Sequence, residues 1–420
     1  MKETRSMLIG KFAQKYNVKP DTIRYYMELG LLIPKKRNHY YVFDKTCEED
    51  MEIISELKKY RFSLQEIHKF LSFKRVTLLS NKEDYTFLTQ MLEEKKEELD
   101  DEVRSITYSI RDIDRKVQEL NLMHTTAGEE KGIPFDFLPM LYCPSCQTSL
   151  DLRNTSTRGQ QIFMGELFCS CGYKAQIHEG IVITEHLDKE SFNPHYIYDK
   201  EMLKIIQSSF ISLSEKASLW VKEHLISENL TNKVIVETHI DTYVFLNKYI
   251  SELDKGAFYI FSGSTMPMLK MLKMKIEQTD PGLKILYLLN SGLDLPIKHK
   301  AIDYVIDSYS FNEYGLFHKP LPMTVLSPYL KNESKIIGAS FYYRDGAKSL
   351  ARMKTLHPNA SPSNLRSTFI KDNLEAANFH IFEKENIGLT KDPGSYIKYH
   401  VPGETGHFFT YLAQRGSVKW

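Results

Sequence analysis

Between Asp84 and Leu120 the chain runs without a glycine or a proline. Along this run Leu88, Leu92, Leu99, Val103, Ile106, Ile110, Ile113, Val117 and Leu120 follow an alternating four-and-three spacing, interrupted only at Lys95. A helix of this length extends about 55 Å. So narrow an apolar stripe is a heptad seam, which is buried by another helix rather than by a broad core. The helix therefore either pairs with a second copy or lies on its own C-terminal half.

The residues before it form a second pattern. Ile9, Phe12, Ala13 and Tyr16 repeat at helical spacing. Asn17-Val18-Lys19-Pro20 breaks that repeat, and Pro20 suits the first turn of a new helix, where its missing N–H has no partner to lose. The second helix, Asp21 to Leu29, turns Ile23, Tyr26 and Met27 inward and leaves Thr22, Arg24 and Tyr25 on the open face; Gly30 ends it. A basic, aromatic hairpin follows in Lys35-Lys36-Arg37-Asn38-His39-Tyr40-Tyr41. Two short helices and a basic hairpin are the parts of a DNA reader, in which the second helix enters the major groove and cations ride the phosphates. A bare helical pair with a solvated charge run is the alternative. The basic end of the chain is the one that holds these elements. The 420 residues carry a net charge of only +1, yet residues 1–76 hold 16 Lys/Arg against 10 Asp/Glu.

Several motifs occur in an order that resembles the MerR family of transcriptional regulators. They are Thr22-Ile23-Arg24-Tyr25-Tyr26, Gly30-Leu31-Leu32 with Pro34, Asp50-Met51-Glu52-Ile53-Ile54 and Phe62-Ser63-Leu64-Gln65-Glu66-Ile67, within residues 7–73. The resemblance implies a winged helix-turn-helix that binds promoter DNA through Thr22, Arg24, Tyr25, Lys35, Lys36, Arg37, Asn38, Tyr40 and Tyr41. It also implies a homodimer clamped by a long antiparallel coiled coil, a distorted promoter engaged by RNA polymerase, and a small-molecule effector. The wing departs from the family pattern, with Asn38-His39-Tyr40-Tyr41 where Asn-Gly-Tyr-Arg is usual, and Arg61 stands where a glycine is common.

Beyond a polar stretch at His124–Gly132, Cys143-Pro144-Ser145-Cys146 is followed after 22 residues by Cys169-Ser170-Cys171. Four thiolates from two turns make a closed tetrahedral site, so Cys143, Cys146, Cys169 and Cys171 are expected to hold a structural Zn²⁺, with His178 as an alternative fourth ligand beside the tight C-x-C half. Cysteines grouped in this way fit a reducing cytoplasm, and Cys47, alone near the wing, reads as an inert small residue. The surrounding run, from Cys171-Gly172-Tyr173 to Ile181-Val182-Ile183, resembles the zinc ribbon that precedes some bacterial methyltransferase domains. A hydrophobic content of 42% is ordinary for a globular chain, no apolar run is long enough for a membrane span, and no secretion signal is recognisable.

From about Tyr196, strands alternate with helices: Lys233–Glu237, Ala257–Phe261, Lys284–Leu289, Ala301–Asp307, Ser334–Phe341, Phe379–Glu383 and Gly406–Ala413, with helices such as Met266–Gln278 and Asn364–Ala377. Their order resembles the class I methyltransferase fold, which uses S-adenosylmethionine. That family keeps a glycine-rich loop after the first strand, but here the loop reads Thr238-His239-Ile240-Asp241-Thr242-Tyr243. The second strand ends on Phe261-Ser262-Gly263-Ser264, without the acid that holds a ribose. S-adenosylmethionine is therefore not expected, and the domain is read as a non-enzyme. Its crevice, at the carboxyl ends of the strands, would be bordered by Glu237, His239, Asp241 and Asn290 as an effector pocket.

The fold class is thus multidomain α + α/β. It comprises a winged helix-turn-helix over 1–76, a dimerisation helix over 77–123, a linker over 124–136, a zinc ribbon over 137–190 and a Rossmann-like methyltransferase-type sheet over 191–420. The expected function is a cytoplasmic, homodimeric DNA-binding regulator whose C-terminal half senses a ligand or recruits a partner. A methyltransferase carrying a DNA-binding domain is the rival reading.

Overall fold

The computed structural model describes residues 7–77, 82–122, 130–184, 206–241, 243–280, 282–395 and 397–416. They divide into two compact units, residues 1–125 and 126–420.

The first unit begins with β1 (Met7–Leu8), α1 (Ile9–Lys15) and α2 (Pro20–Glu28), followed by the hairpin β2 (Lys35–Arg37) and β3 (Tyr40–Phe43). β3 is the centre of a three-stranded sheet, between β1 and β2. The helices α3 (Lys45–Lys59), α4 (Leu64–Thr77) and α5 (Lys82–Leu122) complete the unit. Local chemistry explains the helix starts. Pro20 opens α2, and the Asp44 carboxylate accepts the Cys47 N–H at 3.3 Å to cap α3. Ser63 and Glu66 form a reciprocal capping box at the start of α4, with the Ser63 N–H donating to Glu66 at 2.6 Å and the Glu66 N–H to the Ser63 hydroxyl at 3.3 Å. Phe12, Ile23, Phe43, Ile54 and Ile67 are fully buried between these elements, with Phe12 and Phe43 stacked at 4.4 Å.

The second unit is one continuous sheet with helices on both faces. It starts with β4 (Ile133–Pro134) and a 3₁₀ turn, Phe135–Met140, then β5 (Asp151–Arg158), β6 (Gln161–Phe168), β7 (Lys174–His178) and β8 (Ile181–Thr184). The larger part contains β9 (Val234–Glu237), β10 (Phe258–Gly263), β11 (Lys284–Leu289), β12 (Ile302–Ser308), β13 (Leu330–Tyr342), β14 (Phe379–Thr390) and β15 (Gly406–Arg415). Counted from β9, the strands lie in the order 3-2-1-4-5-7-6, and only the last strand in sequence, β15, runs antiparallel to its neighbours. That is the class I methyltransferase arrangement. β8 pairs parallel to β11 (Tyr287↔Ile181), so the ribbon strands extend the same sheet. The boundary expected at 190/191 lies outside the described residues.

The strands β9 to β12 are nearly continuous apolar runs because both of their faces are covered. One face carries α6 (Ser208–Ile226) and α7 (Met266–Thr279), which contribute Phe210, Trp220, Leu269 and Leu272 to one core cluster. The other carries α8 (Ser310–Phe317), α9 (Pro322–Leu326) and α11 (Phe369–Glu375), with α10 (Lys348–Leu356) on the first side.

Two expectations are corrected. Residues 124–129 of the expected linker lie outside the described residues, but its end is built into the second unit. Ile133 is fully buried and pairs with Ile162, and Phe137 packs edge-on against Phe258 at 5.4 Å. The helix expected over 364–377 begins only at Phe369. Ahead of it, Leu365 is left-handed (φ 61°) and the Asn364 amide donates to the Asn312 carbonyl at 3.1 Å. A Cβ on Gly315 would lie 2.9 Å from Asn364 Cγ, so a bare helix position receives that side chain. Its burial imitates helical periodicity without a helix.

Candidate functional site

In the N-terminal unit, packing of α2 decides which residues face outward. Ile23 and Tyr26 are buried, which leaves Arg24 and Tyr25 exposed and Thr22 half-buried. Arg24 pairs with Asp21 one turn earlier, a contact between exposed partners that competes weakly with water. Gly30 is left-handed (φ 70°), and the N–H groups of Leu31 and Leu32 return to the Tyr26 carbonyl at 2.9 and 3.2 Å.

In the wing, Arg37 is paired with Tyr40 and Lys36 with Tyr41 across a two-residue turn. Asn38 alone takes the left-handed conformation there (φ 53°), so His39 in the usual glycine position does not distort the hairpin. Lys36, Arg37, Asn38, Tyr40 and Tyr41 are exposed, whereas Lys35 is held at the wing base by Asp44 at 3.1 Å. Arg61 adopts φ 63° where a glycine would be unstrained, and its guanidinium pairs with Glu102 of α5 at 2.7 Å.

Two residues, Arg75 and Lys95, make long-range contacts that were not visible in local pattern. The Arg75 guanidinium, at the end of α4, donates to the carbonyls of Gly30 (2.9 Å) and Leu31 (2.7 Å) and to the Asp50 carboxylate (2.7 Å). It thereby ties the exit of α2 to α3 and α4. Lys95, the break in the heptad, is only 7% exposed and pairs with Glu66 of α4 at 2.7 Å and with Glu98, 5.3 Å above the Phe62 ring. Leu88 and Met91 are buried beside it. The first part of α5 is therefore docked on its own unit. The later part of the stripe, Val103, Ile106, Ile110, Ile113, Val117 and Leu120, stands open, each residue between 49% and 62% exposed, and Leu92 in the docked part is 39% exposed.

In the second unit the cysteines converge. All four Sγ atoms of Cys143, Cys146, Cys169 and Cys171 lie within 4.8 Å of one another, with Cys143–Cys171 at 3.4 Å and Cys146–Cys169 at 3.3 Å. A tetrahedral thiolate site with metal–sulfur bonds of about 2.3 Å requires sulfurs roughly 3.8 Å apart, so the set can hold a metal ion. The C-x-C half closes as a turn, with the Gly172 N–H on the Cys169 carbonyl at 3.0 Å. His178 lies outside this cluster on an exposed strand position. Gln147 fastens the first knuckle to the core, donating to the carbonyls of Cys143 (3.1 Å) and Ile297 (3.4 Å) and accepting the His299 N–H at 2.8 Å. Cys47 is buried, which pushes its thiol up to about 11 and makes it a poor nucleophile.

The strand ends where an effector pocket was expected are turned inward. Glu237, His239, Asp241 and Asn290 are all buried. Glu237 accepts the N–H groups of Phe245 (2.6 Å) and Leu246 (3.3 Å), holding the loop that follows its own strand. Asp241 accepts the Ser264 N–H at 2.7 Å and the Thr265 hydroxyl at 2.9 Å, at the start of α7. Asn290 donates to Gly292 and Asp294 carbonyls and accepts the Thr184 hydroxyl at 3.1 Å. His239 sits edge-on to Tyr314 at 5.6 Å, and burial drives its imidazole down to about 3. Beside them Tyr309, left-handed at φ 65°, buries its ring among Phe210, Phe245, Phe341 and Phe408. Glu237, Asp241 and Asn290 thus organise the loops at the strand ends.

Burial raises Glu237 from 4.5 to about 7 and Asp307 from 3.8 to about 6. An acid raised by folding contributes stability that is full below its ordinary value and is lost as pH rises through its folded value. For Glu237 the window runs from pH 4.5 to about 7, and the loss is about 3 kcal/mol. The melting temperature of the wild type should therefore fall between pH 4.5 and about 7, and Glu237→Gln, which does not ionise, should lack that fall. A difference in melting temperature that is constant across pH would refute this assignment.

The family model for MerR HTH family regulatory proteins matches residues 7–74. The HTH-type transcriptional regulator YfmP of Bacillus subtilis (strain 168) is 34% identical over 116 residues, which make up 27% of this chain and 81% of that protein. Among solved structures, the MccD protein aligns with 47% of this chain and 96% of its own at 10% identity and a TM-score of 0.38. Geranyl diphosphate C-methyltransferase from Streptomyces coelicolor A3(2) aligns with 47% of this chain and 75% of its own at 8% identity and a TM-score of 0.36. The assignment of the second unit rests on its strand order and directions. No helix among the described residues is long and apolar enough to cross a membrane. With a regulator covered over 81% of its length at 34% identity, and with a helix-turn-helix and wing at the matching residues, the chain belongs to the MerR family of helix-turn-helix transcriptional regulators.

Proposed function

We propose that two copies of the chain pair through α5 and place two α2 helices on a pseudo-palindromic promoter, bending it so that RNA polymerase can engage. The observation that carries this reading is the open stripe from Val103 to Leu120 on a helix whose other end is docked against the basic helix-turn-helix. A half-exposed apolar seam is stable in water only when it is covered. Thr22, Arg24 and Tyr25 reach the base edges, and Lys36, Arg37, Asn38, Tyr40 and Tyr41 lie along the phosphates, with Lys35 steadying the wing.

Zn²⁺ on Cys143, Cys146, Cys169 and Cys171 closes the edge of the second unit. That unit acts as an interaction or effector-responding module that biases the dimer between two arrangements on DNA. Methyl transfer finds no support at the strand ends, where the fully buried Ile240 lies 2.8 Å from the place a Cβ on Gly263 would take.

Arg24→Ala should weaken binding by roughly tenfold or more, the worth of one good base contact. The measurement is a gel shift on the duplex that the wild-type chain enriches from a randomised pool. Unchanged affinity would show that α2 does not read the bases.

A further inference from the structure

The polar side chains at the ends of β9 and β11 are turned inward, but beside the carboxyl end of β8 the second unit keeps a cavity of about 370 Å³. Its lining includes Glu166 and Phe168 of β6, Lys174 and Gln176 of β7, and Ile183 and Thr184 of β8. Strand register puts the first five on one face. Glu166 is paired with Gln176 and Phe168 with Lys174 across β6 and β7, and Gln176 with Ile183 across β7 and β8. Directly opposed side chains project to the same side of a sheet. The burial pattern of β7 agrees, with Lys174 and Gln176 exposed and Ala175 between them buried. The Thr184 hydroxyl lies 3.2 Å from the Leu289 carbonyl and 3.1 Å from the Asn290 side-chain oxygen. The cavity is thereby fixed at the carboxyl ends of the parallel pair β8 and β11, the side on which open α/β sheets take their ligands.

The lining carries one acid and one base, on diagonal positions of adjacent strands, and they are not paired with each other. Glu166 accepts the Asn154 amide on Oε2 at 2.8 Å, which leaves Oε1 without a partner among the described residues. Lys174 forms no ion pair among them either. Its amine stands 5.8 Å from the centroid of the Phe168 ring, with the Arg153 guanidinium 5.2 Å from the same ring. Other lysines of this unit are held, Lys270 by Glu179 at 2.6 Å and Lys284 by Asp136 at 2.8 Å. An unpaired acid and an unpaired base beside an aromatic ring are the elements of a site for a ligand with both charges.

We propose that this cavity binds a free amino acid with an apolar side chain. Its carboxylate pairs with Lys174, its ammonium with Glu166, and its side chain lies against Phe168 and Ile183. The inference rests on the effector-responding reading of the second unit and gives that reading a site and a ligand class. Complementarity selects the occupant. A neutral lipid would leave both charges unmet, and a dianion such as a phosphate ester would face the Glu166 carboxylate. A volume of about 370 Å³ lies at the small end of ligand sites and suits a molecule of this size. Phe168 immediately precedes the metal ligand Cys169, so the occupant touches the strand that ends in the second knuckle.

The test is equilibrium dialysis of the metal-loaded full chain against labelled L-phenylalanine and L-leucine, with phenethylamine and 3-phenylpropanoate as competitors that each lack one charge. Both amino acids should bind, and each competitor should be weaker than L-phenylalanine by about tenfold or more, the worth of one charge-assisted hydrogen bond. Lys174→Met and Glu166→Gln should each weaken L-phenylalanine by a similar factor without a change in melting temperature. Lys174→Met should also erase the preference for L-phenylalanine over phenethylamine, and Glu166→Gln the preference over 3-phenylpropanoate. If neither amino acid is retained, the proposal fails while the effector reading stands for another ligand. If both variants bind like the wild type, the amino acid sits elsewhere and the proposal fails. Gel shifts with and without L-phenylalanine, on the duplex enriched by the wild type from a randomised pool, test the reading beneath. Binding that is lost in Lys174→Met but never alters the DNA complex would uphold the site and overturn the effector reading.

Discussion

Ile110→Lys should convert the protein from dimer to monomer and lower its affinity for a two-half-site duplex by about two orders of magnitude or more, while leaving the melting of the N-terminal unit unchanged. The fold of one chain does not depend on this side chain, which is 54% exposed. In the proposed dimer its role is tied to the second copy. Covering the six open stripe residues of both chains contributes on the order of 10 kcal/mol. Association costs about 4–15 kcal/mol in lost freedom and side-chain ordering. The surplus is small, so a lysine buried in the seam, at a cost of several kcal/mol, reverses the sign. Once the copies separate, the two α2 helices no longer share an effective concentration, a linkage that is itself worth about 10²–10⁴ in affinity. Sedimentation velocity and gel shifts on one-half-site and two-half-site duplexes separate the effects, since a single half-site should bind the variant and the wild type alike. A persistent Ile110→Lys dimer would mean that α5 is covered by something other than its copy.

Which features the sequence revealed follows from the range of the interactions involved. Elements whose signal is local were legible. The heptad run predicted α5 to within two residues at each end, Pro20 marked the start of α2, and alternating strands and helices located the seven strands from β9 to β15. The metal set was legible because its four ligands come in two short turns. Features set by contacts between distant residues were not. Lys95 reads locally as a flaw in a seam, and only Glu66 and Phe62, some thirty positions earlier, make it the pin that docks α5. Arg75 lies in an ordinary helical end, and nothing local announces that its fork closes on Gly30, Leu31 and Asp50. The loop after β9 misled for a related reason. Glu237, His239 and Asp241 are polar types that usually face solvent or a ligand, but each is buried here because backbone N–H groups and aromatic rings of other elements come to meet them. Polarity in a loop fixes what a residue can bond to, while tertiary packing decides whether the bonding partner is a ligand or the chain itself.

The second large effect should come from the cysteine cluster. The purified wild type should carry one stoichiometric metal ion, and Cys143→Ser should abolish it and lower the melting temperature of the second unit by about 10 °C. Zinc-dependent peptides gain about 10–16 kcal/mol from their ion because nothing else folds them. Here β6, β7 and β8 also share a sheet with β11, so only part of that energy is at stake. Cys143 is the most consequential ligand to remove because it is the buried one, and its carbonyl is the atom to which Gln147 anchors the knuckle before reaching Ile297 and His299. His178→Ala should change neither metal content nor melting, since that imidazole lies outside the converging sulfurs. Metal analysis with differential scanning calorimetry of the full chain decides between the ligand sets. If Cys171→Ser keeps its metal and His178→Ala loses it, the fourth position belongs to the imidazole and the C-x-C turn opens on binding. If the metal departs and only the transition of the second unit moves, the ion is structural.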